Sequence, residues 1–190
     1  MKKLIIGMSG ADGVCLGVRL LELLKQIEDV ETHLVMTPSA EKNLLIEGDK
    51  TPDEVRALAD FVYESDDMAA TIASGSFVTE GMLIVPCSMK SLAALTSGYT
   101  DNLLQRAADV CMKENRKIVL VPREMPLGRV HLRNLLAANE LGCTIVPPVL
   151  TFYNKPQSIQ DHIDHILGKA LMQFGINLPN FKAWKGVQNG

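Results

Sequence analysis

Short apolar runs alternate with longer amphipathic stretches along this chain. Four short, largely apolar runs, at positions 3–7, 32–36, 82–85 and 117–121, are typical of strands buried on both faces of a parallel sheet, and residues 144–146 predict a fifth strand. The stretches between them have helical periodicity. Strands that alternate with helices predict right-handed crossovers and a sheet covered by helices on both sides. The pattern therefore predicts one three-layer α/β domain with a mainly parallel sheet.

Two of the predicted helices show a clear apolar face. The helix that begins near Gly13 carries an apolar stripe of Leu16, Leu20, Leu24 and Ile27. The helix that precedes the fourth strand carries a second stripe of Leu103, Ala107, Val110 and Cys111. The pair Pro147-Pro148 starts an irregular stretch to about Pro156, and a final amphipathic helix is predicted over residues 158–174. We therefore expect one domain over residues 1–176 and a C-terminal tail over 177–190.

Composition and charge exclude several classes of function. Of the 190 residues, 47% are hydrophobic and 22% are charged, and the formal net charge of -3 gives no general attraction to nucleic acid or to an anionic membrane. The four cysteines form no CxxC pair, which argues against a zinc site or a disulfide framework. Because the first apolar run is too short for a signal sequence or a membrane span, we expect a soluble cytoplasmic protein without nucleic-acid or membrane partners.

The residues that follow each strand are the first candidates for function, because ligands in open α/β sheets bind at the carboxyl ends of the strands. The first strand leads into residues 7–13 (GMSGADG). Glycines in such a turn allow backbone N–H groups to approach an anionic ligand at a helix N-terminus. The GxxGxxG spacing differs from the dinucleotide motif GxGxxG, so it is a weak signal by itself. A tight turn capped by Ser9 or Asp12 explains it equally well.

Three later strand ends also carry polar or charged groups. Thr37 before a proline is a helix-start signal, and Ser88 is placed to cap another helix, with Ser91 one turn further on. An ordinary N-cap role accounts for Ser88 but does not explain the presence of a second serine at Ser91. The fourth strand ends in residues 121–126 (VPREMP), where two prolines fix the backbone around Arg123 and Glu124. A guanidinium there can bind a phosphate through two hydrogen bonds.

Other charged residues have an ordinary explanation beside a functional one. One stripe on a predicted helix consists of Arg106, Asp109 and Lys113. Such a stripe is usually a row of exposed ion pairs. The functional interpretation is a cationic patch for a phosphorylated ligand. A lone glutamate such as Glu47, near the end of a predicted helix, is more often solvated than catalytic. The histidines at 162 and 165 on the polar face of the last helix have no evident third partner, so we predict no metal site.

Seven segments together resemble the UbiX-type flavin prenyltransferase family. They are residues 7–13 (GMSGADG), 73–77 (ASGSF), 85–92 (VPCSMKSL), 101–109 (DNLLQRAAD), 119–126 (VLVPREMP), 131–132 (HL) and 152–156 (FYNKP). The likeness extends from residue 3 to residue 184, and its middle segments are highly specific. It implies a Rossmann-like or flavodoxin-like fold and a homododecameric assembly.

The resemblance also implies roles for individual residues. Those implied to bind FMN are Gly10, Ala11, Asp12, Gly13, Thr37, Ser88, Met89, Lys90, Ser91 and Arg123. Those implied to surround dimethylallyl phosphate, from neighbouring subunits, are Arg106, Lys113, Arg123, Glu124, Tyr153 and Lys169, with Trp184 helping to close the site. Those implied to act in catalysis are Glu47, as the acid/base beside the flavin, with Arg106, Lys113 and Glu124.

The implied reaction joins a dimethylallyl group to N5 and C6 of reduced FMN and yields prenylated FMN. Departure of the phosphate leaves an allylic cation, which aromatic faces stabilise, while cationic side chains stabilise the phosphate without a metal. The product is supplied to a UbiD-type decarboxylase of (hydroxy)aromatic acids. Residues 88–91 (SMKS) and 174–179 (FGINLP) most resemble members encoded as the small B subunit of such decarboxylases.

Three substitutions depart from the family pattern. Asp12 occupies a position that is usually serine or threonine, and Lys169 replaces an arginine. Arg133 occupies a position that is usually glutamate, a change that we expect to affect an interface rather than the chemistry. A carboxylate at position 12 opposes a nearby phosphate, so a non-catalytic FMN-binding paralogue or flavin carrier is the alternative function. A flavin-dependent cysteine decarboxylase fits less well, because its Pro-x-Met-Asn motif does not occur in the sequence.

Overall fold

One parallel sheet organises the part of the chain that the structure, a computed structural model, describes: residues 1–179, 181–184 and 186. Its strands are β1 (Lys2–Met8), β2 (Val30–Met36), β3 (Phe61–Tyr63), β4 (Gly81–Cys87), β5 (Lys117–Pro122) and β6 (Thr144–Ile145). They lie in the order β3-β2-β1-β4-β5-β6, and every neighbouring pair is parallel. The five predicted strands are confirmed; the edge strand β3 was not predicted.

The helices connect successive strands as the crossover rule requires. They are α1 (Val14–Leu24), α2 (Pro38–Glu47), α3 (Pro52–Arg56), α4 (Met89–Ser97), α5 (Leu103–Lys113), α6 (Arg129–Glu140) and α7 (Ile159–Met172), with a 3₁₀ turn at Thr71–Ala73. Both predicted apolar stripes face the core: Leu20 and Leu24 of α1 are buried, and so are Leu103 and Ala107 of α5. The predicted final helix is confirmed as α7, which Ser158 caps by accepting a hydrogen bond from the Asp161 N–H.

The sheet divides the core into two clusters because successive side chains of a strand point to opposite faces. Leu4 and Ile6 of β1 pack with α1 and α7 on one side, whereas Ile5 packs with α4 and α5 on the other. This arrangement confirms the three-layer α/β fold. Leu178 and Phe181 also pack against the α1–α7 cluster, and the expected domain boundary at residue 176 stays a prediction. No helix in the described ranges is both long enough and apolar enough to cross a bilayer.

The order of the strands also places a crevice. The chain passes from β1 to β2 and β3 on one side, and then returns to the other side of β1 to form β4, β5 and β6. The loops that follow β1 and β4 therefore leave the sheet in opposite directions at neighbouring positions. In open α/β sheets this switch point is where ligands bind.

Candidate functional site

A cavity of about 680 Å³ lies at the carboxyl ends of the strands. Its volume is within the range of small-molecule and cofactor sites. Residues that the sequence predicted for the site and that line this cavity are Gly10, Thr37, Ser88, Met89, Lys90, Ser91 and Glu124. All four predicted strand-end segments thus contribute to the lining. Ala11, Asp12, Gly13 and Arg123 of these segments, and Glu47, are not among the lining residues.

The loop after β1 is held against the loop after β4 by Ser9, which is buried. Its hydroxyl donates to the Pro86 carbonyl at 3.0 Å and accepts from the Ser88 N–H at 2.7 Å. Gly10 next to it leaves no space for a side chain, because a β-carbon there would lie 2.2 Å from the Ser39 β-carbon. The floor of the crevice is therefore bare backbone, the surface that a planar or anionic ligand can approach most closely.

The N-terminus of α1 is capped from a distance. Gly13 has a left-handed conformation (φ 89°) and makes no side-chain cap of its own. Instead, the Glu47 carboxylate at the end of α2 accepts hydrogen bonds from the Gly13 N–H at 2.8 Å and the Val14 N–H at 3.3 Å. Of the two interpretations of this turn, capping by Ser9 or Asp12 was wrong, because the Ser9 hydroxyl bonds to the β4 segment and Asp12 pairs with an arginine.

Arg123, at the end of β5, forms an ion pair with Asp12. The Arg123 backbone N–H also donates to the Cys87 carbonyl at 3.1 Å, so the residue is fixed to the end of β4. The neighbouring Glu124 accepts a hydrogen bond from the Met125 N–H at 3.0 Å. The guanidinium that was predicted to bind a phosphate is therefore paired with a carboxylate, and neither Arg123 nor Asp12 is among the residues that line the cavity.

Two helices begin at the cavity with hydroxyl caps, as predicted. Thr37 accepts from the Ala40 N–H at 3.2 Å at the start of α2, and Ser88 accepts from the Ser91 N–H at 3.2 Å at the start of α4. The Ser88 hydroxyl in turn donates to the buried Ser91 hydroxyl at 3.1 Å, which explains why a second serine follows one turn later. Both helices direct the positive ends of their dipoles toward the cavity.

The charged stripe on α5 is paired within the chain. Arg106 donates to the Asp109 carboxylate at 2.8 Å and to the Ala73 carbonyl at 3.2 Å. Lys113 pairs with Glu114. Within one chain the ordinary interpretation of this stripe, a row of partly exposed ion pairs, describes these contacts.

Tyr153, Lys169 and Trp184 belong to a different region, around α7. The Tyr153 hydroxyl lies 3.3 Å from Nε2 of His165, and the Tyr153 ring packs edge-on against Trp184. His165 was expected on the polar face of this helix but is only 7% exposed, because Phe181 stacks on its ring. Burial, with the nearby Lys169 charge as a smaller cause, lowers the pKa of His165. No group of three or more metal-ligating side chains occurs among the described residues.

Apart from Glu124, the sequence did not predict the carboxylates of the cavity lining. The four that were missed are Glu41, Glu64, Asp66 and Asp101. Residues 64–66 follow the strand β3, which is three residues long and was not recognised. Had β3 been identified, the rule that ligands meet the carboxyl ends of strands would have indicated this segment.

Comparison with known proteins agrees with this geometry. Residues 1–171 match the model of the Flavoprotein family. A UbiX-like flavin prenyltransferase from Sedimentibacter hydroxybenzoicus is 54% identical over 187 residues, which are 98% of this chain and 99% of that relative. The chain belongs to the UbiX flavin prenyltransferase family.

Solved structures of UbiX proteins have the same fold throughout. AnUbiX (PadA1), in complex with FMN and dimethylallyl pyrophosphate, is 47% identical with a TM-score of 0.95 and covers 98% of this chain and 99% of its own. A dodecameric FMN-dependent UbiX-like decarboxylase from Escherichia coli O157:H7 is 50% identical with the same TM-score of 0.95, over 97% of this chain and 100% of its own. The peptidyl-cysteine decarboxylase EpiD, at 19% identity and a TM-score of 0.65, shares the fold alone.

Proposed function

We propose that this chain transfers the dimethylallyl group of dimethylallyl phosphate to reduced FMN and releases prenylated FMN. The observation that carries the proposal is the convergence of the loops after β1, β2, β4 and β5 on one crevice with a 680 Å³ cavity, in a member of the UbiX family. Bare backbone, helix N-termini and hydroxyl caps are the groups that suit a flavin edge and its phosphate.

The residues of the crevice fit a flavin mononucleotide. Gly10 permits close approach, Thr37 and Ser88 offer hydroxyls at helix starts, and Arg123 offers a guanidinium. Ala11, Asp12, Gly13 and residues 89–91 complete the proposed binding set. When bound, reduced FMN supplies the electron-rich ring atoms that accept the prenyl group.

We assign proton handling to Glu47. Its carboxylate is fixed by the N–H groups of Gly13 and Val14, so it is held at the end of the flavin-binding loop rather than free on the surface. A positioned carboxylate can take up or give back a proton at Oε2, which is the role of a general acid/base. Glu124 lines the cavity and is the second proposed catalytic carboxylate, whereas Glu47 lies outside the lining, at the N-terminus of α1.

Phosphate departure requires cationic side chains that this chain distributes over several elements. Arg106 and Lys113 lie on α5 and Lys169 on α7, while Tyr153 precedes α7. We propose that neighbouring copies bring these residues, with Trp184, to the crevice of one chain, so that the assembled oligomer holds complete sites. The dodecameric relative supports an oligomer, and a UbiD-type decarboxylase is the proposed recipient of the product.

The test is an anaerobic incubation of the full chain with FMN, a reductant and dimethylallyl phosphate, followed by the mass of the extracted flavin. We expect the flavin to gain one five-carbon unit, and Lys113→Ala to abolish the gain. Lys117→Ala is the matched control, because Lys117 begins β5 at the opposite end of the sheet and should leave the gain intact.

Two further outcomes define the limits of this function. An unmodified flavin with both dimethylallyl phosphate and dimethylallyl diphosphate would refute transferase activity and leave an FMN-binding protein. The chain by itself is expected to release no carbon dioxide from a hydroxyarylic acid; release without a second protein would instead support a decarboxylase.

A further inference from the structure

The ion pair between Asp12 and Arg123 joins two loops that are 111 residues apart in sequence. Asp12 follows β1 and Arg123 follows β5, and β4 lies between these strands. The pair therefore spans the carboxyl end of β4, where the hydroxyl-capped helix α4 begins. The Asp12 side chain is 61% exposed and the Arg123 side chain 35% exposed, so solvent reaches both. Each is close in sequence to a residue of the cavity lining, Gly10 and Glu124 respectively.

Both partners are attached to fixed backbone. Arg123 is held by its backbone bond to Cys87, and the loop around Asp12 is held by the Ala11 N–H bond to Ser9 and by the Glu47 bond to Gly13. A carboxylate and a phosphate use the same N–H donors of a guanidinium. Because Asp12 is tethered next to Arg123, its effective concentration there is high.

We propose that Asp12 is a specificity-determining residue that competes with the phosphate of the flavin for Arg123; this rests on the proposed function. Binding of phosphorylated flavin exchanges one anionic partner of Arg123 for another and brings the phosphate close to the Asp12 carboxylate. The displaced pair and the like-charge repulsion both weaken binding. For partly exposed charges their sum corresponds to about a tenfold loss of affinity.

The same competition favours release of the phosphorylated product. When the phosphate leaves, Asp12 takes its place on Arg123, so the arginine is not left without an anionic partner. A weaker hold on the phosphate appears as faster dissociation, since affinity differences within one site lie mostly in the dissociation rate. A chain that delivers its product to another protein needs such a release.

The experiment measures the affinity of the full chain for FMN and for riboflavin by quenching of flavin fluorescence. We expect Asp12→Asn to bind FMN about tenfold more tightly than the unaltered chain and riboflavin equally well, and the gain to shrink as salt is added. Asp12→Glu retains the charge and should bind FMN like the unaltered chain. Asp53→Asn removes an exposed charge on α3, outside the cavity lining, and should change FMN affinity by less than about twofold.

Two results would overturn the inference. Weaker FMN binding by Asp12→Asn would show that Asp12 orients Arg123 for the phosphate, and an equal change for FMN and riboflavin would show a general effect on the loop. Prenyl transfer is measured in parallel to separate this inference from the proposed function. Transfer without a change of FMN affinity in Asp12→Asn overturns the inference alone, whereas an unmodified flavin with every variant overturns the proposed function.

Discussion

Replacement of Glu47 by glutamine separates a structural role of this residue from a chemical one. In the structure Glu47 accepts two hydrogen bonds from the first N–H groups of α1. A glutamine side chain has nearly the same shape, and its carbonyl oxygen can accept the same two bonds. It cannot take up a proton as a carboxylate does, and it carries no charge at the positive end of the helix dipole.

The two roles predict effects of very different size. Loss of the charge at an exposed helix N-terminus costs about 0.5–1 kcal/mol of the free energy of unfolding. For a chain of this length that corresponds to a fall in melting temperature of about 1–4 °C. Loss of a general acid/base lowers the rate by about 100- to 10,000-fold. We therefore expect Glu47→Gln to remain folded, to bind FMN, and to form prenylated FMN at least about 100-fold more slowly.

The assay combines a thermal unfolding curve with single-turnover formation of prenylated FMN under anaerobic conditions. Glu54→Gln is the matched control, because Glu54 also caps a helix, accepting hydrogen bonds from the Thr51 N–H at 2.8 Å and the Thr51 hydroxyl at 2.9 Å. It belongs to α3 and bonds to Thr51, the N-cap of that helix, rather than to the loop after β1. The control should show a small fall in melting temperature with unchanged turnover.

The reasoning on Glu47 fails if Glu47→Gln forms prenylated FMN within about threefold of the unaltered rate while its melting temperature falls. Glu47 would then be a helix cap alone. A large fall in FMN affinity would also contradict the assignment, because it would show that the carboxylate shapes the binding loop rather than moving a proton.

Three further predictions concern stability and the crevice floor. Burial lowers the pKa of His33 below its ordinary 6.5, so the unfolded chain binds the proton more readily than the folded chain. The free energy of unfolding should therefore decrease as the pH falls from 7 through 6.5 toward the folded pKa. Urea unfolding of His33→Gln should lack this part of the pH dependence. Gly10→Ala should cost about 1–3 kcal/mol in urea unfolding and weaken FMN binding, because the new methyl group would overlap Ser39; unchanged FMN affinity would contradict the close packing. Arg19→Lys should lower the free energy of unfolding by about 1 kcal/mol, because lysine cannot reproduce the two hydrogen bonds of 2.8 and 2.9 Å to Asp164. An unchanged urea midpoint would show that this ion pair between α1 and α7 does not stabilise the fold.

The buried strands and helices could be predicted because their signals are local. The runs that form β1, β4 and β5 are mostly apolar, β2 ends in the apolar residues 34–36, and the stripe on α5 repeats at helical spacing over its whole length. Strand β3 gave no such signal, because it is three residues long at the edge of the sheet and Phe61 is 49% exposed. The burial of His165 was equally invisible, since the residues that cover it, Tyr153 and Phe181, come from irregular segments.

The candidate site also has parts that local sequence signals predict and parts that they do not. The hydroxyl caps at Thr37 and Ser88 follow from local rules, and the rule on strand ends brought them to one cavity. The contacts that position the charged groups of the site are between residues far apart in sequence. Glu47 contacts Gly13, 34 residues away in sequence, and Arg123 contacts Asp12, 111 residues away. No sequence pattern predicts either contact.

The placement of the proposed site residues on separate elements of one chain has a genetic consequence. Glu47 ends α2 and Lys169 lies on α7, and we have proposed that one active site takes each of them from a different copy. Two inactive alleles, Glu47→Gln and Lys169→Ala, should then complement each other when expressed in the same cell. Random mixing gives each site the intact residue from both copies in about a quarter of cases, so mixed oligomers should regain about a quarter of the activity. Sites built within single chains would regain none.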